Sequence, residues 1–468
     1  MGAVAPGSEL IRTVGRSGFF TLAFGAMVGS GWVVVLGDWL QAGGPGGSAL
    51  GFVAGGILMI LLGMCYGELA ARSATAGAEF LYTLETFGRF PAFLVGWFLT
   101  FYAIAVCAFE AIALAWLLRT LFPVIALPAM YEIAGSPITL DALLIGLAGA
   151  LTVATLHYRG AGSAIRFQNV VTYGFICIII AMIICGFAFG ALANLHPVFS
   201  SPKGRSWIGG MLWTFSTCAF FLNGWQTSLH AIEERRLDIS PRCAIRYMLL
   251  AIGAAAVFYS GIIISSAMAA PWSTLIGREL PAAAAFRALG GGGVFGTIIL
   301  VAAAVSLTKA WSACAWVATR LLFAQARYGL LPQVFLKVDP RSRAPRNAVV
   351  VVTVVTVLGM AMGRGAITPL VNMLSICAGF GIVLSLCVLL KRRRTEPVKP
   401  GFAVPGGVPV ILVALVGSVL MVGIALLAPL ISGGGKIPLE WKLLVAWGVV
   451  GIALWSGVRK LRAPVGAT

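Results

Sequence analysis

Apolar runs of about twenty residues, long enough to cross a ~30 Å hydrocarbon layer, recur from one end of this chain to the other. They fall at 18–40, 47–70, 91–118, 140–157, 168–193, 208–232, 243–269, 293–320, 347–364, 367–390, 408–430 and 441–458. Lipid satisfies no backbone N–H or C=O group, so spans of this length fold as helices that close their own hydrogen bonds. Composition agrees: 60% of the 468 residues are hydrophobic and 10% are charged, with a mean hydropathy of +0.98, which no water-soluble domain of this size carries. The longest polar stretches, about 195–207, 324–346 and 391–407, leave no room for a soluble catalytic domain. Whatever this chain does, it does within the bilayer.

When twelve spans are threaded alternately, most of the 33 lysines and arginines fall on the side of the N-terminus. Arg12, Arg16, Arg235-Arg236, the loop from Arg327 to Arg346 and the run Lys391-Arg392-Arg393-Arg394 all lie there. Excess positive charge marks the cytoplasmic face, so the reading is a multi-pass protein of the cytoplasmic (inner) membrane with both termini inside. Topology and anionic lipid headgroups account for the net charge of +18, and no nucleic-acid partner is needed. Residues 1–17 form a cytoplasmic tail, too short and polar for a cleaved signal peptide. The cysteines lie almost all within spans without a C-x-x-C pair, and His157, His196 and His230 have no metal-ligand spacing. Neither a cofactor nor a metal site follows.

Two spans are interrupted by small residues. Span 1 holds Gly29-Ser30-Gly31 followed by Trp32, and span 6 holds Asn223-Gly224 followed by Trp225. Each glycine costs a helix interior about 0.5–1 kcal/mol relative to alanine, so such a run is not there for stability. Breaks five spans apart, at corresponding places of two halves, point to an inverted-repeat transporter whose substrate sits at the midplane between unwound helices. The plainer reading of span 1 is a G-x-x-x-G packing face made by Gly25 and Gly29.

These residues resemble the amino acid–polyamine–organocation permeases. The triplet Gly29-Ser30-Gly31 is similar to that family's helix-1 break, and Tyr66 to Gly88 is similar to its E-L-x-x-x-x-P-x-A-G-x-x-x-x-Y segment, with Ala74 in place of the proline. Ile232-Glu233-Glu234 resembles its A-E-E, and Ala326 to Phe335 its R-D-G-x-L-P, with Tyr328 in place of the aspartate. The resemblance implies an all-α protein of twelve transmembrane helices in a leucine-transporter-like five-plus-five inverted repeat. The repeats would be 18–195 and 208–390, with two further helices in 408–460 and helices 1 and 6 discontinuous. It implies a permease or exchanger of amino acids working by alternating access, with polyamines or other organic amines as the alternative cargo and a non-transporting sensor as the remaining one. Its expected partners are that small molecule and membrane lipid.

By the family's pattern the amides of Ser30, Gly31 and Trp32 hold a substrate carboxylate at the positive end of a half-helix. The substrate ammonium goes to carbonyls at Met27, Phe220 and Asn223. Phe221, Trp225 and Trp32 either wall the pocket or merely pack. Two departures bear on coupling. Gln226 stands where many members carry an acid, and Phe175, seven residues after Gln168, stands where some sodium-independent members carry a lysine. Glu233 and Glu234 are read first as local, solvated partners of Arg235 and Arg236, with a role in an inner gate implied by the resemblance; Glu68 and Arg72 are spaced to pair.

Glu110 and Lys309 are the ionisable groups expected deep in the bilayer, where a lone charge costs at least ~2.5–3.5 kcal/mol. Counted from Arg119 and Arg320, both fall between the midplane and the outer face. An ion pair above the substrate is the first reading. The others are Lys309 in place of a sodium ion, direct contact with a charged substrate, and snorkelling. A channel would need rings of charge or a filter, and an intramembrane enzyme a catalytic constellation within the spans; neither is present in the sequence.

Overall fold

The computed structural model describes residues 12–29, 31–72, 78–122, 127–133, 136–200, 206–290, 293–363, 367–396, 401–432 and 439–460. Ser30 and Ala74 therefore lie outside the described residues. In chain order the helices are α1 (Arg16–Met27), α2 (Gly31–Val34), α3 (Leu36–Arg72), α4 (Ala78–Phe87), α5 (Arg89–Leu121), α6 (Leu140–Tyr158), α7 (Ala161–Phe189) and α8 (Trp207–Phe221). They continue with α9 (Thr227–His230), α10 (Pro241–Ala269), α11 (Pro281–Arg287), α12 (Val294–Arg327), α13 (Arg346–Met360), α14 (Ile367–Thr395), α15 (Gly407–Ser432) and α16 (Leu439–Lys460). Every apolar window read from the sequence overlaps a helix, and those at 18–40 and 208–232 are each crossed by an interruption. Seven helical stretches among the described residues are long and apolar enough to cross a membrane, which makes this a multi-pass membrane protein.

Local chemistry sets the ends and bends. The ladder of α1 stops at Val28, whose φ of −101° and ψ of 86° are not helical, and resumes at Gly31. Within α3 it breaks again at Gly44, with φ +66° and ψ 179°, just before Pro45. A left-handed residue followed by a proline that lacks an N–H is where one span ends and the next begins. One element was not foreseen: an antiparallel hairpin of Ala129–Ile133 with Ser136–Thr139, in register Tyr131 to Ile138, between α5 and α6. The Tyr131 hydroxyl donates to the Ala361 carbonyl at 2.8 Å and fastens the hairpin to the end of α13.

The interior is organised around α1, which packs against α7, α10 and α12. Its glycines do not form a helix-on-helix face of the G-x-x-x-G kind. A Cβ at Gly25 would stand 1.9 Å from the Gln168 amide nitrogen of α7, and one at Gly29 would stand 2.7 Å from a Glu110 carboxylate oxygen of α5. The two glycines thus make room for two different polar side chains. Close backbone packing occurs instead between α3 and α8, where a Cβ on Gly55 would meet Cys218 Sγ at 2.5 Å and one on Gly210 would meet the Ala42 carbonyl at 2.0 Å.

At the end of α3 the expected pairing of Glu68 with Arg72 is present, at 3.1 Å. It belongs to a larger node. The same buried carboxylate accepts from Arg393 Nε of α14 at 2.9 Å and from the Val404 amide ahead of α15 at 2.8 Å. Removing one member of a buried ion cluster strands the others, typically at about 3–5 kcal/mol. Glu68→Ala is expected to lower the thermal unfolding midpoint of the purified protein markedly, and the further change Arg393→Leu to recover part of that loss. Equal midpoints for Glu68→Ala and the parent protein would remove this node from the account of stability.

Candidate functional site

Interrupting α1 frees carbonyls that would otherwise accept helical N–H groups, and these must find donors inside the protein. They find them on α12. Ser306 Oγ lies 2.8 Å from the Val28 carbonyl and 2.9 Å from that of Gly29. Lys309, one turn further along the same face, donates to the Val28 carbonyl and lies 3.5 Å from that of Gly25. The Met27 carbonyl, expected to meet a substrate ammonium, accepts from the Tyr259 hydroxyl of α10 at 3.2 Å. The Lys309 ammonium also stands 4.6 Å from the centre of the Phe175 ring, within cation–π range.

Lys309 lies near the middle of the 34-residue α12, about 22 Å from one end and about 27 Å from the other at 1.5 Å per residue. Arg320, counted above as the inner end of the span, is 2% exposed and lies within that helix. One expectation is corrected: Lys309 and Glu110 do not form an ion pair among the described residues, the ammonium being engaged by the freed carbonyls. Glu110 stands beside Gly29, buried, near enough for its charge and that of Lys309 to act on one another. Its Oε2 has no hydrogen-bond partner among the described residues.

The second break is built differently. α8 ends at Phe221, Gly224 takes a φ of +107° and α9 restarts at Thr227. A Cβ at Gly224 would meet Ala26 of α1 at 3.0 Å, so the two interrupted helices touch here. Gln226 stitches the break, with Oε1 accepting from the Gly224 amide at 3.0 Å and Nε2 donating to Asn223 Oδ1 at 2.8 Å. Asn223 Nδ2 donates to the Tyr102 hydroxyl of α5 at 3.1 Å, and the Asn223 amide donates to the Phe220 carbonyl at 3.2 Å. A cavity of about 30 Å³ borders Tyr102, Asn223, Gly224 and Gln226.

The aromatic residues divide. Trp32 and Trp225 are fully buried packing residues, Trp32 against Phe258 at 5.7 Å and Trp225 against Tyr66 at 4.8 Å. Phe221 is the one placed at the break: a Cβ on Gly31 would lie 2.0 Å from its Cε1 atom, so its ring lies directly over Gly31. Phe220 packs beside it at 5.1 Å. A larger cavity, about 390 Å³, begins at Ala111, next to Glu110, and runs past Trp116, Arg119 and Ile138 to Met360. It opens at the opposite end of α5 from Arg89.

Beyond α9, ion pairs join the end of the second interrupted helix to α12. Glu234 takes Arg320 Nε at 2.8 Å and Nη2 at 3.0 Å, both residues buried, and Glu233 takes both terminal nitrogens of Arg327 at 3.0 and 3.1 Å. These glutamates were expected to pair locally with Arg235 and Arg236. The partners come instead from α12, because the chain leaves α9 through a 3₁₀ turn at Ile232–Glu234 that turns both carboxylates toward that helix. The Val14 amide donates to the Glu234 carbonyl at 2.9 Å, and the Arg236 amide to that of Val14 at 3.0 Å, which binds the segment before α1 to the end of the second interrupted helix. Ser306, Tyr259 and Tyr102 were missed by sequence reasoning. Ser306 had a signal, standing three residues before Lys309 on one helix face; the two tyrosines had none.

A helical membrane protein with two interrupted helices that touch one another and polar donors on the freed backbone is built as a membrane transporter is built. The chain belongs to the amino acid permease family, whose model matches residues 15–455. It is similar to the methylthioribose transporter of Bacillus subtilis (strain 168), 27% identical over 425 residues that cover 89% of each chain. It is also similar to the branched-chain amino acid permease BcaP of the same organism, 25% identical over 86% of this chain and 85% of that one. The cationic amino acid transporter 4 of Mus musculus is 26% identical over 85% of this chain and 63% of its own length.

Gly31→Val is expected to abolish ligand-induced stabilisation while the protein still reaches the membrane folded, because the added bulk meets the Phe221 ring. Adding Phe221→Ala should relieve the steric part. Normal stabilisation in Gly31→Val alone would place the site elsewhere.

Proposed function

We propose that this chain is a secondary active transporter, a permease or exchanger, that moves amino acids across the cytoplasmic membrane by alternating access. The observation that carries this is the meeting of two interrupted helices at Gly29–Gly31 and Asn223–Gly224, with α12 donors on the freed carbonyls. Twelve transmembrane helices in a five-plus-five inverted repeat, repeats 18–195 and 208–390, suit the positions of the two breaks. The amides at the start of α2 are the carboxylate site, Phe221 is its cover, and the 390 Å³ cavity is the approach from outside. The Glu234–Arg320 and Glu233–Arg327 pairs are the inner gate, closed in this conformation.

Lys309 takes the place of a coupling cation. Its ammonium rests on backbone carbonyls beside Phe175, the position from which a span-5 lysine acts in the sodium-independent members that this chain resembles. Uptake should therefore be unchanged when sodium is replaced by choline, and Lys309→Met should abolish it. Sodium-dependent uptake by the parent protein would end this reading of Lys309.

A second reading concerns cargo. Glu110, an enclosed carboxylate beside the break with one oxygen unpartnered among the described residues, favours a substrate that brings a positive charge. Thermal-shift measurements with the twenty amino acids, putrescine and methylthioribose, followed by uptake of the best binder into vesicles, decide between them. An amino acid that stabilises saturably and accumulates is the expected result. Stabilisation by putrescine alone would make the protein an amine transporter, and binding without accumulation a sensor.

A further inference from the structure

One buried ionisable pair is used by nothing above. His230 ends α9 and Glu79 stands in the first turn of α4, with imidazole Nε2 3.0 Å from carboxylate Oε2 and both side chains 2% exposed. Nδ1 of His230 and Oε2 of Glu79 both lack a hydrogen-bond partner among the described residues, so the 3.0 Å approach is an ion-pair contact and not an aligned hydrogen bond. Both residues line the 30 Å³ cavity that also borders Tyr102, Asn223, Gly224 and Gln226. That space holds about two waters. His230 is one turn beyond Gln226, to whose carbonyl its amide donates at 3.2 Å, and the side chains of both border the same cavity.

Enclosed carboxylates require a counter-charge. The other cations nearby are committed: Arg320 of α12 to Glu234 and Arg392 of α14 to Glu85. The remaining titratable groups around the pair are Tyr66 of α3 and Tyr82 of α4, which feel the charge of Glu79, and Tyr102 of α5 and Cys314 of α12, which line the cavity. α1, packed on α9, carries one ionisable side chain, Arg16, exposed at the end of the helix nearer Glu234. α10, also packed on α9, carries Arg242, Cys243, Arg246, Tyr247 and Tyr259. Imidazole is the side chain that exchanges a proton near neutral pH.

We propose that His230 and Glu79 form a one-proton site through which a proton gradient drives this protein, an inference that rests on the transport reading. Loaded, the pair is electrically neutral, with the proton on Nε2 against Oε2. On unloading, the Nε2–H bond breaks, its electron pair stays on the imidazole, and the proton passes to cavity water. A buried carboxylate beside a neutral ring then favours separation or wetting of the pair. The element that moves is α9, four residues long and hinged at Gly224. The proton thus acts on the second interrupted helix itself.

The test uses the full chain in vesicles with labelled L-arginine and L-leucine as probes, in two modes: counterflow without a gradient, and accumulation driven by acid outside. His230→Asn and Glu79→Gln are expected to keep counterflow and to lose the gradient-driven accumulation of the parent protein. In parallel, ¹⁵N-histidine spectra, with only three histidines in the chain, should show a His230 imidazole that titrates and whose midpoint moves in Glu79→Gln. Accumulation retained in His230→Asn, or parent uptake indifferent to the gradient, overturns the proton site and leaves transport standing. If the parent shows no counterflow with either probe, the transport reading fails for those substrates, and the spectra still decide: a His230 that does not titrate, or that ignores Glu79→Gln, overturns the pair.

Discussion

Lipid offers no hydrogen bonds, and that constraint shapes the centre of this protein. Interrupting α1 leaves carbonyls at Gly25, Val28 and Gly29 that a continuous helix would have satisfied, each costing several kcal/mol if left bare in hydrocarbon. Ser306 and Lys309 supply the donors. Because both sit on one face of α12, that helix is held to α1 at the break, and the carbonyls face protein rather than lipid. Tyr259 does the same for Met27 from α10. The break is thereby a built feature, with partners drawn from the two helices that flank α1.

The second break depends on the same constraint but meets it locally. Gln226 reaches back to both the Gly224 amide and the Asn223 side chain, and Asn223 reaches across to Tyr102. α9 is then continuous with the 3₁₀ turn whose glutamates grip Arg320 and Arg327 of α12. One helix therefore touches the centre of the protein through Lys309 and its terminal side through Arg320. In the proposed transport cycle α12 is the rod that would carry a change at the first break to the second.

Much of this was legible in the sequence, for reasons that explain what was not. Span positions followed from length and apolarity, and both breaks from small residues placed where a helix would not choose them. What touches what was hidden. Lys309 was seen as a deep charge needing a partner, but the partner proved to be backbone carbonyl, which has no sequence signature. Glu233 and Glu234 had adjacent arginines that fitted a local pairing; the 3₁₀ turn that directs them to α12 is a tertiary outcome. Arg320 was read as a span boundary because a buried arginine and a boundary arginine look alike until Glu234 is placed beside it. The hairpin between α5 and α6 was overlooked in a loop too short to declare its strands.

The central claim is that the two breaks together hold the substrate. It is tested most directly by a high-resolution structure of the protein with the amino acid that most stabilises it. The account places the ligand carboxylate on the amides of Gly31 and Trp32, with the Phe221 ring moved or closed over it and Lys309 still on the carbonyls of α1. A ligand lodged instead in the cavity between Trp116 and Met360, with Phe221 still lying on Gly31 and the break unchanged, would contradict it.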